Sequence, residues 1–352
     1  MKRLLLILMV LLPIQMTGIS AQENESVDVR EIIFGHLKDS YEWHVISIAE
    51  GKDLIIHLPV ILYSKTSGWH FFMSSQLHGG SHDGFHIAQD GAYAGKLVEV
   101  MPDGSEVKPL DLSLTKVALG IIINSLLLLV IVMCTARWYR RHSETDPAPR
   151  GFVGLMELVV AMIVDEVIKP AVGKHYRQYA PLLLTLFFFI FLSNLMGLIP
   201  LFPGGANVTG NIAVTLSLAL VTFFTVNIFG NREYWKEILW PDVPIFLKAP
   251  IPMMPLIEVI GMFTKPFALT VRLFANMTAG HAIILSLTCV IFITAKMGPF
   301  IGTPMTVLSV FLMVFMNFLE LLVAYIQAYV FTMLSSAFIG LSRPEEEHHN
   351  KE

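Results

Sequence analysis

An arginine, Arg272, interrupts the stretch FALTVRLFANMTAGHAIIL, residues 267–285, which otherwise has the composition of a membrane-buried helix. An ionised side chain at the bilayer centre costs roughly 2.5–3.5 kcal/mol on insertion scales, so it marks a position with a partner or a task. Arginine does not release its proton in proteins. We therefore expect Arg272 to act as a fixed positive charge.

Other polar residues follow the same helix at regular spacing. Glu258, Lys265 and Arg272 are seven residues apart, which is about 700° of helix, so they fall within roughly 40° of one stripe. Asn276 lies one turn beyond Arg272. His281 lies about 13 Å beyond it and on nearly the opposite face.

The next apolar stretch carries three more candidate groups, Asn317, Glu320 and Gln327. In an antiparallel hairpin with Gln327 level with Arg272, Glu320 lies about 10 Å further along the axis. His281 has nearly the same depth. A carboxylate and an imidazole at one depth lower each other's cost in the membrane, so we expect them to meet.

These polar groups divide into an outer set (His281, Glu320 and Asn276) and an inner group, Glu258, with Arg272 between them. Because histidine and glutamate can carry a proton near neutral pH, the division predicts two half-paths for protons separated by a positive charge. No carboxylate lies level with Arg272 in this arrangement, so we expect an anion from another subunit. The alternative is a structural role, in which the polar groups only hold helices together.

Composition limits the class of protein. Of 352 residues, 54% are hydrophobic and only 15% charged, against roughly 25% charged in soluble domains. A net charge of −4 argues against nucleic-acid binding. Cys134 and Cys289 lie in apolar runs, so neither a disulfide framework nor a cysteine metal site is expected. We expect no cofactor.

The chain begins with features of export. Residues 1–21 have a basic start, a short apolar centre and a small residue at the end, which predicts a cleaved signal peptide; an uncleaved anchor is the alternative. Residues 22–115 are then a small exported region, β-rich because DLIIHLPVILYSK and GAYAGKLVEVMPDGSEVKPL have strand and turn patterns.

Five potential metal ligands lie between those two strand segments, namely His70, His78, His82, Asp83 and His86. Imidazole and carboxylate ligands suit zinc or copper. The spacing matches no defined metal site, however, and the glycine-rich flanks favour a solvated loop. We expect no bound metal.

Residues 116–341 are predicted to be the membrane domain of an all-α polytopic protein. Its elements are about five spans (117–134, 180–202, 212–229, 252–295 and 304–341) and an amphipathic surface helix (151–179). The cluster Arg137, Arg140 and Arg141 assigns the end of the first span to the cytoplasm. The last two spans exceed about 55 Å if straight, so this long C-terminal hairpin must tilt, break or lie partly along the membrane. Residues 342–352 form a charged cytoplasmic tail.

The motifs LTVRLFANMTAGH and LELLVAYIQAYVFTML resemble subunit a of the bacterial F-type ATP synthase. FLSNLMGLIP, NIAVTLSLAL and IEVIGMFTKPFALTVR resemble other elements of that family, and the likeness covers about residues 117–341. It implies a proton-translocating stator subunit of the inner membrane, not catalytic alone. The implied partners are the c-subunit ring, the b-subunit peripheral stalk and the remaining synthase subunits. The N-terminal region is then periplasmic and the C-terminus cytoplasmic.

The resemblance also assigns roles. The family's essential arginine corresponds to Arg272, its glutamine partner to Gln327, its channel asparagine to Asn276 and its cytoplasmic-side glutamate to Glu258. Two aqueous half-channels then lead to the c-ring carboxylates on either side of the arginine. Coupling of proton flow to ring rotation and ATP synthesis follows from this arrangement.

The chain departs from the family pattern in several places. Some members have glutamate at the His281 position and histidine at the Glu320 position, so the pair is exchanged here. Gly197 occupies a position where some members have aspartate. The hairpin turn TAKMGPFIGTP reads as longer than in compact members, and residues 22–115 are an extension that many lack.

Two other classes of function fit less well. A secondary transporter is expected to have inverted repeats, and the two halves show none. An intramembrane protease or acyltransferase is expected to have a GxSxG or HExxH motif, and both are absent, as is a GxxxxGK phosphate loop. The acid and imidazole pair favours protons, while selectivity against sodium depends on the c subunit.

Overall fold

The computed structural model describes residues 38–47, 53–88, 93–101, 104–142, 147–199, 204–240 and 253–343. The predicted signal peptide and nearly all of the predicted tail lie outside these ranges. The chain divides into two compact units. Unit 1 comprises Met1–Ile123, Met196–Val208 and Gly280–Phe318, and unit 2 comprises Asn124–Leu195, Thr209–Ala279 and Leu319–Glu352.

The amino-terminal part of unit 1 is a small β domain, as the strand patterns predict. Its strands are β1 (Glu42–Ser47), β2 (Asp53–His57), β3 (Pro59–Ser64), β4 (Gly68–Met73), β5 (Phe85–Ile87), β6 (Leu97–Val100), β7 (Glu106–Val107) and β8 (Leu110–Asp111). They form three antiparallel sheets with the strand orders β1-β2, β4-β3-β8 and β5-β6-β7.

Alternation along β3 and β4 builds the core of this domain. Val60 and Leu62 of β3 are buried together with Phe72 of β4, and they pack with Phe85 and Leu97 from the third sheet. Successive side chains of a strand point to opposite faces, so the residues between them face away from this core.

A buried carboxylate ties the third sheet to the β3–β4 turn. Glu99 of β6 accepts hydrogen bonds from the hydroxyls of Ser64, Thr66 (2.7 Å) and Ser67 (3.1 Å). Burial by itself raises the pKa of Glu99, but these three hydroxyl groups outweigh it and hold the pKa below its ordinary value.

The histidine-rich segment is not the loop that its glycines suggested. It contains β4, a 3-10 helix at Ser74–Gly79 and β5, and Phe72, Leu77 and Phe85 anchor it in the core. Gly80 and Gly84 adopt positive φ and supply the turns between these elements. Within the described residues, no group of three or more histidine, cysteine or acidic side chains could hold a metal ion.

The remaining elements are helical. They are α1 (Lys116–Tyr139), α2 (Phe152–Met162), a π-helical segment (Ile163–Ile168), α3 (Lys169–Val172), a 3-10 turn (Gly173–His175), α4 (Tyr176–Leu198), α5 (Ile212–Ile228), α6 (Arg232–Leu239), α7 (Met253–Ala295) and α8 (Pro299–Leu341). Among the described residues, four helical segments are long and apolar enough to cross a membrane, or five if α5 and α6, bent by 100°, form one span. A mostly helical polytopic fold is therefore confirmed. The tilt and the surface location of residues 151–179 stay predictions.

The two long C-terminal stretches are continuous helices of 43 residues each. Of the three alternatives left by their length, which were tilting, breaking and lying partly along the membrane, breaking does not occur. Pro266 and Pro304 both lie within helix. The predicted long turn TAKMGPFIGTP was wrong, since only Lys296–Gly298 separates α7 from α8. Gly298 has φ 93°, which a residue with a side chain rarely adopts, so three residues suffice for the reversal.

The core of unit 2 joins the middle of α4 to α7 and α8. Leu183 and Phe187 of α4, Leu273 and Met277 of α7, and Ala328 of α8 are almost fully buried in one cluster. Hydroxyl groups also form hydrogen bonds between helices of this unit, as between Thr222 and Ser335.

The carboxyl end of α8 is tied to its neighbours by polar contacts. The N–H of Asn231 donates to the carbonyl of Ser342 at 3.0 Å, and Nε of Arg343 donates to the carbonyl of Phe229 at 2.9 Å. The Arg343 guanidinium also lies 5.5 Å from the centroid of the Tyr179 ring. These contacts fix the rotation and height of α8.

Gly340 allows a close backbone contact in unit 2, because a Cβ there would lie 1.9 Å from the carbonyl oxygen of Ala171. We expect Gly340→Ala to destabilise the chain by about 1–3 kcal/mol, since a backbone oxygen cannot yield as a flexible side chain does. Gly261→Ala is the matched control, because a Cβ at this helical position meets nothing within 4 Å.

Thermal unfolding of the purified chain in detergent, followed by tryptophan fluorescence, measures both variants. An unchanged midpoint for Gly340→Ala, or equal losses for the two variants, would contradict this contact.

Candidate functional site

Arg272 lies on the exposed side of α7. Leu269, Leu273 and Met277 are spaced four residues apart and enter the core of unit 2, so they define the buried side of the helix. Arg272 and Asn276 are each one residue before a buried position, and both are exposed. The predicted stripe therefore faces away from the chain's own core at this level.

The surroundings of Arg272 are apolar. Val271 is 38% exposed, and the small residues Ala268 and Ala275 are exposed one turn on either side. Within the described part of the chain, Arg272 forms neither an ion pair nor a hydrogen bond. A charge on an apolar surface of a membrane helix is therefore left uncompensated by the residues that the structure describes.

The candidate residues of α8 are more buried than Arg272. Gln327 is 8% exposed and Glu320 is 4% exposed. Ala328, next to Gln327, packs in the same cluster as Leu273, next to Arg272, so the two helical turns face a common core. Arg272 and Gln327 thus belong to one compact unit, as the hairpin predicts.

Asn317 and His281 lie in unit 1. Asn317 Nδ2 donates to the carbonyl of Met313 in its own helix at 2.9 Å. His281 Nε2 lies 3.2 Å from the carbonyl oxygen of Gly197, so the protonated Nε2 donates to it. A Cβ at position 197 would lie 3.5 Å from the same nitrogen, in ordinary contact. The predicted contact of His281 with Glu320 stays a prediction.

A small cavity lies on the amino-terminal side of Arg272 along α7. Its volume is about 20 Å³, and its lining is mainly apolar, with polar side chains from Thr222, Asn227, Tyr234 and Lys265. The Tyr234 hydroxyl donates to Asn227 Oδ1 at 3.3 Å, and the carboxylate of Glu258 lies within electrostatic range of that hydroxyl.

Lys265 lies seven residues before Arg272 on α7. Its Nζ lies 5.4 Å from the centroid of the Phe338 ring, and the side chain contributes to the wall of the cavity. A cation above an aromatic face is stabilised by the ring quadrupole. Lys265 is therefore held inside unit 2.

Sequence reasoning missed Asn194, which is fully buried in α4. Its Nδ2 donates to the carbonyl of Ala324 at 3.2 Å, and its Oδ1 accepts from the Thr209 hydroxyl at 2.7 Å. Ala324 lies between Glu320 and Gln327 on α8. The adjacent polar pair in SNLMGLIP was the available signal, but it was used only as a motif.

Further polar pairs hold the helices of unit 2 at fixed positions. Asn124 Nδ2 donates to the Ser193 hydroxyl at 3.2 Å, which ties α1 to α4. The hydroxyls of Thr222 and Ser335 lie 3.1 Å apart and join α5 to α8. Buried hydrogen bonds of this kind restrict the rotation of each helix about its axis.

Comparison with known proteins identifies the family of this chain. A family model described as ATP synthase A chain matches residues 121–340. The ATP synthase subunit a of Pelodictyon phaeoclathratiforme is 41% identical over 257 residues, which cover 72% of this chain and 72% of the relative. The subunit a of Chlorobium phaeobacteroides is 42% identical, covering 69% of this chain and 68% of the relative. For Myxococcus xanthus subunit a, the identity is 37% and the shares are 79% and 89%.

This chain belongs to the ATP synthase A chain family. With its apolar helices, this membership makes it a multi-pass membrane protein. A second family model, a domain of unknown function (DUF8433), matches residues 32–112. The β domain therefore matches a different family model from the one that matches the helical part of the chain.

Asn194→Ala removes the only described side-chain contact to the carbonyl of Ala324 and leaves the Thr209 hydroxyl without its acceptor. We expect a loss of about 1–3 kcal/mol in the free energy of unfolding, because these groups are buried. Ser217→Ala is the control, since that exposed hydroxyl bonds only to the carbonyl of Ala213 in its own helix.

Thermal unfolding in detergent compares the two variants. Equal midpoints for Asn194→Ala and Ser217→Ala would show that Asn194 does not hold α4 to α8.

Proposed function

We propose that this chain is the proton-translocating stator subunit a of an F-type ATP synthase. The curated relatives are named ATP synthase subunit a. Membership of the same family supports the subunit a role for this chain. The observation that carries the mechanism is the exposed guanidinium of Arg272 on an apolar helix surface. A charge in that position is stabilised when a partner places an anion beside it.

The proposed partner is a ring of c subunits, each with a carboxylate at membrane depth. An ionised carboxylate is costly in lipid, whereas a protonated one is much less so. Beside Arg272 the carboxylate is stabilised in its ionised form, because an opposite charge at close range lowers a carboxyl pKa. A carboxylate must therefore take up a proton to leave Arg272 for the lipid, and release one to approach it.

One half-path leads to the ring from the side of His281. His281, hydrogen-bonded to Gly197, and Glu320 carry an imidazole and a carboxyl group, both of which can accept and release a proton. Asn276 and Asn317 provide polar side chains along α7 and α8. The carbonyl of Gly197 orients the imidazole of His281. Some family members have glutamate at the His281 position.

The second half-path leads away from the ring on the side of Glu258. The environment of Tyr234 and Lys265 supports it, because both side chains line one cavity in unit 2 and the Tyr234 hydroxyl lies within electrostatic range of that carboxylate. Arg272 lies between the two half-paths.

Arg272 then has two tasks. It attracts each passing carboxylate, and its fixed charge repels a proton that would otherwise cross directly from one half-path to the other. Gln327, buried on the neighbouring turn of α8, is the polar neighbour through which the guanidinium is oriented. Ring rotation is thereby coupled to proton flow.

Further features of the proposal follow from family membership. The b-subunit peripheral stalk holds this chain against rotation, and nucleotide chemistry belongs to other subunits. The chain lies in a bacterial inner membrane, with the β domain periplasmic and the carboxyl terminus cytoplasmic. The cluster Arg137, Arg140 and Arg141 at the end of α1 supports this orientation.

Arg272→Ala tests the proposal. In inverted membrane vesicles we expect ATP-driven acidification to fall to background, because nothing then separates the half-paths or attracts the ring carboxylate. The amount of assembled complex is expected to match the parent, since Arg272 has no described contact inside the chain. Arg140→Ala, at an exposed position at the end of α1, is the control and is expected to retain acidification.

Acidification is followed with a pH-sensitive dye at matched subunit levels. Normal acidification by Arg272→Ala in an assembled complex would contradict the proposed role and reopen the mechanism.

A further inference from the structure

The β domain exposes a continuous aromatic and aliphatic surface on one side of its second sheet. Its members are Tyr63 of β3, Trp69, Phe71 and Met73 of β4, Leu110 of β8 and Leu112; we call this set the aromatic face. Trp69 is 55% exposed and Phe71 70% exposed. The opposite side of the same sheet is buried in the domain core. The sheet therefore has one buried side and one apolar side that the described residues leave exposed.

Strand register explains why these residues share a side. Tyr63 pairs with Trp69 and with Leu110, and residues that are opposite each other in antiparallel strands point to the same face. The rings of Tyr63 and Trp69 are 5.0 Å apart, and those of Trp69 and Phe71 are 6.1 Å apart and stacked. The aromatic face is therefore an ordered surface of adjoining side chains.

The sheet is joined almost directly to the first membrane span. After β8, the ladder along β3 continues through the bonds from the N–H of Leu112 to Ile61 and from the N–H of Leu114 to Pro59. Helix α1 begins two residues later, at Lys116. A six-residue strand is about 20 Å long, so the whole aromatic face lies within roughly that distance of the start of α1.

The junction is also held by hydrogen bonds from the first turn of α1. The N–H of Lys116 donates to the carbonyl of Ser40 at 2.9 Å, and the N–H of Val117 donates to Asp39 Oδ1 at 3.0 Å. A carboxylate that accepts from first-turn N–H groups caps a helix and fixes the chain that carries it. These bonds tie the β domain to the first turn of α1.

We propose that the aromatic face rests in the interfacial layer of the bilayer, on the membrane surface at which α1 begins. Tryptophan and tyrosine are the residues enriched at that layer, because their rings are apolar with a polar edge. Exposed apolar patches of this size mark a protein or a membrane contact. The junction to α1 is short and hydrogen-bonded, so it keeps the aromatic face within reach of the lipid headgroups. Phospholipid is therefore the occupant that the position of this face favours.

Charges beside the aromatic face fit the same occupant. Lys65 lies in the turn that joins β3 to β4, and Lys108 immediately precedes β8; both are exposed. Lysines at a membrane surface are attracted to anionic headgroups by roughly 1 kcal/mol each. The proposed β-domain contact is independent of the role of Arg272 in proton transport.

Spin labels provide the test. Phe71→Cys is labelled with a nitroxide in a chain with Cys134→Ser and Cys289→Ala, and the labelled full chain is reconstituted in vesicles of phosphatidylcholine and phosphatidylglycerol. Gln76→Cys, an exposed position on the 3-10 helix of the same domain, is the matched control. We expect the ratio of collisions with oxygen to collisions with a water-soluble nickel complex to be severalfold higher at position 71 than at position 76.

A second measurement uses the natural side chain. Brominated phosphatidylcholine quenches tryptophan near the acyl chains, and the difference between the parent and Trp69→Phe isolates Trp69. We expect Trp69 to account for a distinct quenched fraction. Equal collision ratios at positions 71 and 76, together with no quenching of Trp69, would overturn the proposal.

The assembled complex distinguishes lipid from a protein partner. Shielding of position 71 only after the other subunits are added would also overturn the proposal, because it would assign the aromatic face to a subunit contact. Shielding in the chain alone, unchanged on assembly, is the expected result.

Discussion

The charge of Arg272 on an apolar, exposed helix surface is the constraint on which the rest of the site depends. Inside the described chain, nothing compensates the guanidinium, so its energy in the membrane is set by what lies against that side of α7. A carboxylate that arrives ionised and leaves protonated provides compensation that alternates with proton transfer. The half-paths proposed on either side of Arg272 then have a physical reason to be separate.

The helices that share the core of unit 2 with α7 are tied to one another by polar and close backbone contacts. Asn194 ties α4 to α8 between Glu320 and Gln327, and Thr222 ties α5 to the same helix through Ser335. At the carboxyl end of α8, Gly340 admits a backbone contact that a side chain would block. The apolar cluster of unit 2 supplies most of the burial, while these contacts define one rotation and one height for each helix.

Much of this architecture follows from periodicity. Apolar run lengths predicted α1, α4, α5, α7 and α8 to within about five residues at each end, whereas the predicted helix 151–179 is divided into shorter segments. Heptad spacing predicted that Arg272 lies on a common stripe with Glu258. The three-residue turn before α8 was missed, because Pro299 and Pro304 read as loop residues but lie within the helix. The order of the histidine-rich segment was missed because its glycines occupy turns between strands. Asn194 was missed since its partners, Thr209 and Ala324, are distant in sequence.

The central claim is that the side of α7 around Arg272 is covered by a carboxylate-bearing subunit. A photoreactive amino acid in place of Val271, which is 38% exposed beside Arg272, reports directly on what lies there in the assembled synthase. We predict an adduct with a small membrane subunit whose apolar helix contains a central aspartate or glutamate. Adducts with lipid alone, at full assembly, would contradict the account.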